Sequence, residues 1–148
     1  MNHFDPKRSS RLARITKIAQ AVARVSENEV FLRTKEVASQ EARLDTIVNY
    51  QTEYASSARS RELNIENVGL IKISRQFGWW LTDLAAEQAL QLDQAKYILE
   101  AARSAAFEKR QFADALEKVS TRAAQADLRH WSKMAQDELD DIAARMRP

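Results

Sequence analysis

Between Pro6 and Pro148 the chain has no proline, and Gly69 and Gly78 are its only glycines. These two residue types end helices and permit tight turns, so a chain nearly without them makes few turns. The remainder is rich in Ala, Leu, Gln, Glu, Lys and Arg, which lose little side-chain freedom in a helix. With 148 residues, about one ordinary domain, the reading is an all-α fold of a few long helices.

The same composition excludes several kinds of chemistry. Cysteine is absent, which removes disulfides and thiolate catalysis. A metal would have to rely on His3, His130 and carboxylates at none of the usual ligand spacings, so no metal site is expected. No apolar run approaches the ~20 residues of a membrane span. The opening MNHFDPKRSSRLARITKIAQ lacks the apolar core of a signal peptide, so a cytoplasmic protein is expected. There is no glycine-rich phosphate loop and no nucleophile elbow, and a slender helical protein lacks the concavity small molecules need. Neither enzyme activity, a catalytic residue, a cofactor nor a small-molecule substrate is expected.

Charge is uneven although the net value is only +2. Residues 1–26 hold Lys7, Arg8, Arg11, Arg14, Lys17 and Arg24 against Asp5 alone, while DELDD at 137–141 is acidic. A basic arm suits an acidic protein groove, an anionic surface or simply water. Nucleic acid is not expected, since no recognition module or stacking platform accompanies the charge.

Hydrophobic spacing divides the chain into two helices. The first is expected over about 8–60, capped by Ser9 or Ser10. Its stripe is Ile15, Ile18, Val22 and Val25, followed by a phase slip to Val30, Val37, Leu44, Ile47 and Tyr54, which reads as a stutter. The pattern fades at ASSARSREL, and a turn is expected over about 61–69, where NIENVG supplies two asparagines and Gly69. The second helix is expected over about 70–146. Its stripe includes Ile73, Phe77, Leu81, Leu84, Ala95, Ile98, Ala102, Phe112, Leu116 and Val119, with Gln88 and Lys109 as polar interruptions.

If the chain folds back once, facing residues have position numbers of constant sum. Leu44 with Leu84, Ile47 with Leu81, Val30 with Ile98 and Val22 with Ala106 all sum to 128; Tyr50 with Phe77 and Ile15 with Phe112 sum to 127. One register therefore serves most of helix one. The expected fold is a single long antiparallel two-helix coiled-coil hairpin, 1–148, with the second helix longer than the first.

At 1.5 Å per residue the helices span about 75 and about 115 Å, so helix two overhangs beyond residue 120 or so. Leu128, Trp131, Ala135, Leu139, Ile142 and Met146 keep an apolar stripe there, which calls for a second copy or another protein. Tyr50, Tyr54, Phe77, Trp79 and Trp80 gather near the turn. Trp79 and Trp80 are adjacent and point about 100° apart, so both cannot face one seam. The cluster is either seam packing or a partly exposed interface hot spot, where Trp and Tyr are enriched.

The segments LDTIVNYQTEYA, SRQFGWWLTDLAAEQ and EKRQFADALEKVSTRAAQADLRHWSKMAQDELDDIAARM resemble the flagellar type III export protein family FliJ over most of the chain. The most specific part is the Y-Q-x-E-Y segment followed by Q-F and a leucine four residues later. The resemblance implies a stalk-like coiled coil whose N- and C-terminal end enters the hexameric export ATPase. It implies a patch contacting the cytoplasmic domain of the export-gate membrane protein, a peripheral place at the inner-membrane export apparatus, and help in cycling export chaperones. The gate patch carries over to Ile47, Tyr50, Tyr54, Phe77 and Leu81, while Arg43, Leu84 and Gln88 depart from the family pattern at its edge. For the ATPase ring, charge and overhang select Arg8, Arg11, Arg14, Leu128, Trp131 and Ile142. Two rivals share these features: the equivalent stalk of a virulence injectisome, and a coiled-coil scaffold unconnected with secretion.

Overall fold

In the computed structural model, residues 5–63 and 67–148 are described. His3 and residues 64–66 of the expected turn lie outside them. Helix α1 runs Arg8–Glu62 and helix α2 runs Val68–Met146, 55 and 79 residues. No strand occurs among the described residues. The fold is the expected antiparallel two-helix coiled-coil hairpin, with α2 the longer helix.

Asp5, rather than Ser9 or Ser10, starts α1. Its Oδ1 accepts a hydrogen bond from the Lys7 amide at 3.0 Å and its carbonyl accepts one from Arg8 at 3.0 Å. The carboxylate also pairs with Arg11. A carboxylate here satisfies amides that have no partner inside the helix and offsets the positive end of its dipole. Asn67 does the same for α2, its Oδ1 accepting from Gly69 at 2.9 Å and its carbonyl from Ile71 at 3.3 Å.

The inward line of α1 differs from the expected one. The buried and half-buried positions include Leu12, Thr16, Ala19, Ala23, Ser26, Val30, Arg33, Val37, Gln40, Leu44, Ile47, Gln51, Tyr54 and Ala58. Steps of three and four alternate from Leu12 to Tyr54, so there is no stutter. The line also continues through the segment where the sequence pattern fades. The slip in the sequence pattern arises because Ile15, Ile18, Val22 and Val25 have the same spacing one place out of phase with the true seam. They are exposed, whereas Thr16, Ala19 and Ala23 are buried. On α2, Leu99 is buried where the expected stripe has Ile98, and Ile73, Phe112 and Val119 lie outside the seam.

Contacts gather into two units. Asn28–Ser104 forms one. Its core is Val37, Leu92, Ala95 and Leu99, with Val30 and Leu44 against it. Leu-sized side chains in such layers contribute roughly 1.5–3 kcal/mol each when fully buried. Between the apolar layers lies a polar one: Gln88 Nε2 donates to Gln40 Oε1 and, at 3.3 Å, to the Gln40 carbonyl. Gln40 Nε2 in turn donates to Glu36 Oε1 at 2.7 Å. Gln88 is thus a buried, bonded member of the seam and not an interruption of it. The bond joins positions summing to 128, as the expected register requires.

The residues up to Glu27 and Ala105–Pro148 form the other unit. Its core is Ala19, Ala23 and Ala113, with Leu116 packed against them. Alanine layers contribute about 0.8 kcal/mol per methyl-sized group, so this seam gains less per layer than the leucine-rich one. A bidentate pair adds to it: Arg110 Nε and Nη2 donate to Glu27 Oε1 and Oε2 at 2.7 and 2.8 Å. These hydrogen bonds hold the Glu27 carboxyl below its usual value and raise Arg110 above its own.

Candidate functional site

In the unit Asn28–Ser104, the end of α1 faces the start of α2 across an open groove of about 440 Å³. The seam supplies its floor. Ile47 and Leu84 are half-buried and Leu81 is only 6% exposed. Tyr50, Tyr54, Phe77 and Trp80 add four rings, and Glu53, Ser57 and Arg61 complete the lining along α1. All five residues expected in the gate patch thus line one surface.

The rings divide by role. Tyr54 is half-buried, and its hydroxyl donates to the Ser74 carbonyl at 2.9 Å and lies 2.9 Å from the Ser74 hydroxyl. Its ring meets Phe77 edge-on at 4.8 Å, and Phe77 meets Trp80 at 5.4 Å in a tilted stack. Edge and offset contacts of this kind are favoured by the ring quadrupole. Tyr54 therefore fastens α1 to α2 and props Phe77 in place. Tyr50 remains 63% exposed, and Trp79 and Trp80 remain 67% and 54% exposed. The groove residues divide by exposure: Leu81, Ile47 and Tyr54 pack, while Tyr50 and the tryptophans are exposed.

Gly78 sits under Tyr54. A β-carbon built there would lie 3.8 Å from Tyr54 Cε1, an ordinary contact, so the close approach of the helices does not require glycine. Gln51 Nε2 donates to Thr82 Oγ1 at 3.0 Å, and Arg75 pairs with Glu62 at 3.6 Å, tying the same helix ends together.

Glu53, Ser57 and Arg61 are not singled out by the sequence pattern. The signal is present, because positions 50, 54, 57 and 61 share one helix face, but Ser57 and Arg61 interrupt its apolar character. They add charged side chains, Glu53 and Arg61, to a lining that is otherwise mostly aromatic and aliphatic.

The residues expected at the ATPase ring all belong to the other unit. Arg8, Arg11 and Arg14 are exposed on the first turns of α1. Leu128, Trp131 and Ile142 are exposed on α2, and Trp131 contacts the His130 ring at 5.8 Å. This unit also carries a second apolar groove of about 320 Å³, lined by Ile15, Ile18, Val22 and Phe112, the residues displaced from the expected seam. Among the described residues no cluster of three or more His, Asp or Glu side chains could hold a metal. Among them, too, no helix is long and apolar enough to cross a membrane.

Paired helices with an open aromatic groove place this molecule among the coiled-coil hairpins. A family model described as flagellar FliJ protein matches residues 8–147, nearly the whole chain. The chain belongs to that family, and so to the non-catalytic coiled-coil components connected with flagellar export. No curated relative and no solved structure matches it.

Proposed function

We propose that this chain is the stalk-like coiled coil of the flagellar export apparatus. In this reading, its aromatic groove binds the cytoplasmic domain of the membrane export gate. The end carrying Arg8, Arg11, Arg14, Leu128, Trp131 and Ile142 enters the export ATPase hexamer, and the protein assists the cycling of export chaperones. Its place is peripheral, at the inner-membrane export apparatus, serving motility.

The observation that carries the gate assignment is the outward set of the rings. Tyr50 is 63% exposed directly above a floor made by Ile47 and Leu81, so a partner can cover it without unpacking the hairpin. A large amphipathic ring on a fixed apolar floor is the usual form of a binding hot spot. Family membership supports the setting, because it makes an export component the natural partner.

The test separates binding from folding. Tyr50→Ala should weaken binding to the isolated gate domain by about 30-fold, a hot-spot loss of about 2 kcal/mol, while circular dichroism stays unchanged. Melting of the hairpin in that variant would instead make the ring a structural element. For the other end, the chain should stimulate ring formation by the cognate ATPase, and a version truncated after residue 120 should not. Indifference to that truncation would remove Leu128, Trp131 and Ile142 from the ring surface.

A further inference from the structure

From residue 131 onward every position of α2 is exposed, yet its apolar stripe continues. Leu128, Trp131, Ala135, Leu139 and Ile142 are separated by three, four, four and three residues, a spacing that reads the same in both directions. Leu128 and Leu139 are eleven residues apart, as are Trp131 and Ile142. Eleven residues complete three turns of helix to within about 20°, so these residues form one straight face.

We propose that this face pairs with its own copy, in an antiparallel arrangement about a two-fold axis at Ala135. A two-fold interface requires that if residue i meets j, then j meets i. A palindromic stripe meets this condition. Leu128 with Ile142, Trp131 with Leu139 and Ala135 with Ala135 all have position numbers summing to 270.

The charges select the same arrangement independently. The half LRHWSKM carries Arg129 and Lys133, and the half AQDELDDI carries Asp137, Glu138, Asp140 and Asp141. Parallel pairing would lay four carboxylates beside four. Antiparallel pairing lays each basic half along an acidic one. At 100° per residue Asp127 and Arg145 both lie about 80° from Ala135 on the same flank of the stripe, and their numbers sum to 272. Each Asp127 then faces the partner's Arg145, and symmetry makes the contact twice.

The pairing covers Leu128, Trp131 and Ile142, the α2 part of the ring surface, and leaves Arg8, Arg11 and Arg14 uncovered. It does not depend on the ring assignment, because it is measured on the pure chain alone.

Sedimentation equilibrium of the full chain with two charge-reversal variants provides the test. Arg145→Asp sets a new carboxylate against Asp127 at both contacts of its own dimer, and Asp127→Arg sets a new guanidinium against Arg145. A one-to-one mixture of the two variants restores opposite charges, because carboxylates fill both positions on one chain and guanidinium groups fill both on the other. The wild type should form dimers, each variant alone should associate about tenfold or more weakly, and the mixture should recover to near wild type. Circular dichroism should show equal helicity throughout. A wild type that remains monomeric to about 0.3 mM, which would leave the stripe to a different protein, overturns the proposal. So does a dimer that ignores both reversals, or a mixture that fails to recover.

Discussion

Individual side chains in this protein are sorted by how they meet the seam, and two of them make measurable points. Gly78 costs helix stability without enabling a contact, since a β-carbon would lie at an ordinary 3.8 Å from Tyr54. Gly78→Ala should raise unfolding stability by up to about 1 kcal/mol, read from the denaturant midpoint. Gln88 is the reverse case. Replacing it with Leu removes the donor to the buried Gln40 Oε1 and should cost about 1–3 kcal/mol. Changing Gln40 and Gln88 to Leu together should recover much of that loss, because no amide oxygen is then left buried without a donor. At this scale the sequence was partly legible. Ile47, Tyr50, Phe77 and Leu81 could be placed on one face from spacing alone, because large apolar residues mark helical periodicity. Gln88 could not be placed, because a glutamine in a seam looks like a break until its partner is known to be another glutamine.

Among the elements, α1 shows why periodicity misleads when two stripes run side by side. Ile15, Ile18 and Val22 are larger and more hydrophobic than Thr16, Ala19 and Ala23, yet the smaller set is buried. Small side chains let two helices approach closely, and the facing residue Ala113 makes the same choice. Volume complementarity between helices is a property of the pair, invisible when one helix is read alone. The Glu27–Arg110 pair joins the two elements beside this alanine seam. Its carboxyl has a lower pKa folded than the ordinary value of 4.5, so its stabilisation is complete above that value. It is lost as pH falls through the lowered folded value. Wild type should therefore lose stability in acid more steeply than Glu27→Gln, measured as melting temperature across that window.

For the molecule as a whole, the two-helix hairpin was legible because so few turns were available. The sum of 128 holds in the seam for Leu44 with Leu84 and Ile47 with Leu81, whereas the pairs built on Ile15, Val22, Ile98 and Phe112 used exposed residues beside the seam. The division of contacts into two units was not legible, since no glycine, proline or change of composition marks residues 27 and 28 or 104 and 105. The end of α2 bears on how stability is distributed. Residues 137–148 are all exposed, so at concentrations too low for pairing their removal should leave the thermal midpoint within a few degrees of the intact chain. A large loss on calorimetry would mean that this segment is held by contacts its exposure does not suggest.

The glutamine layer has a mechanical consequence. Sliding one helix past the other by a heptad would bring Gln40 opposite Leu81 with Gln88 opposite Arg33, or Gln40 opposite Ala95 with Gln88 opposite Ile47. Either step breaks the amide pair and strands at least one amide in an apolar layer. Each stranded amide costs roughly 1–3 kcal/mol, whereas alanine and leucine layers alone would tolerate the step far better. Gln40 and Gln88 thus act as a keyway. Push or pull delivered to one strand of the pair here is carried by both in lockstep, and a signal crossing this stretch must travel as bending or rotation, not as slippage.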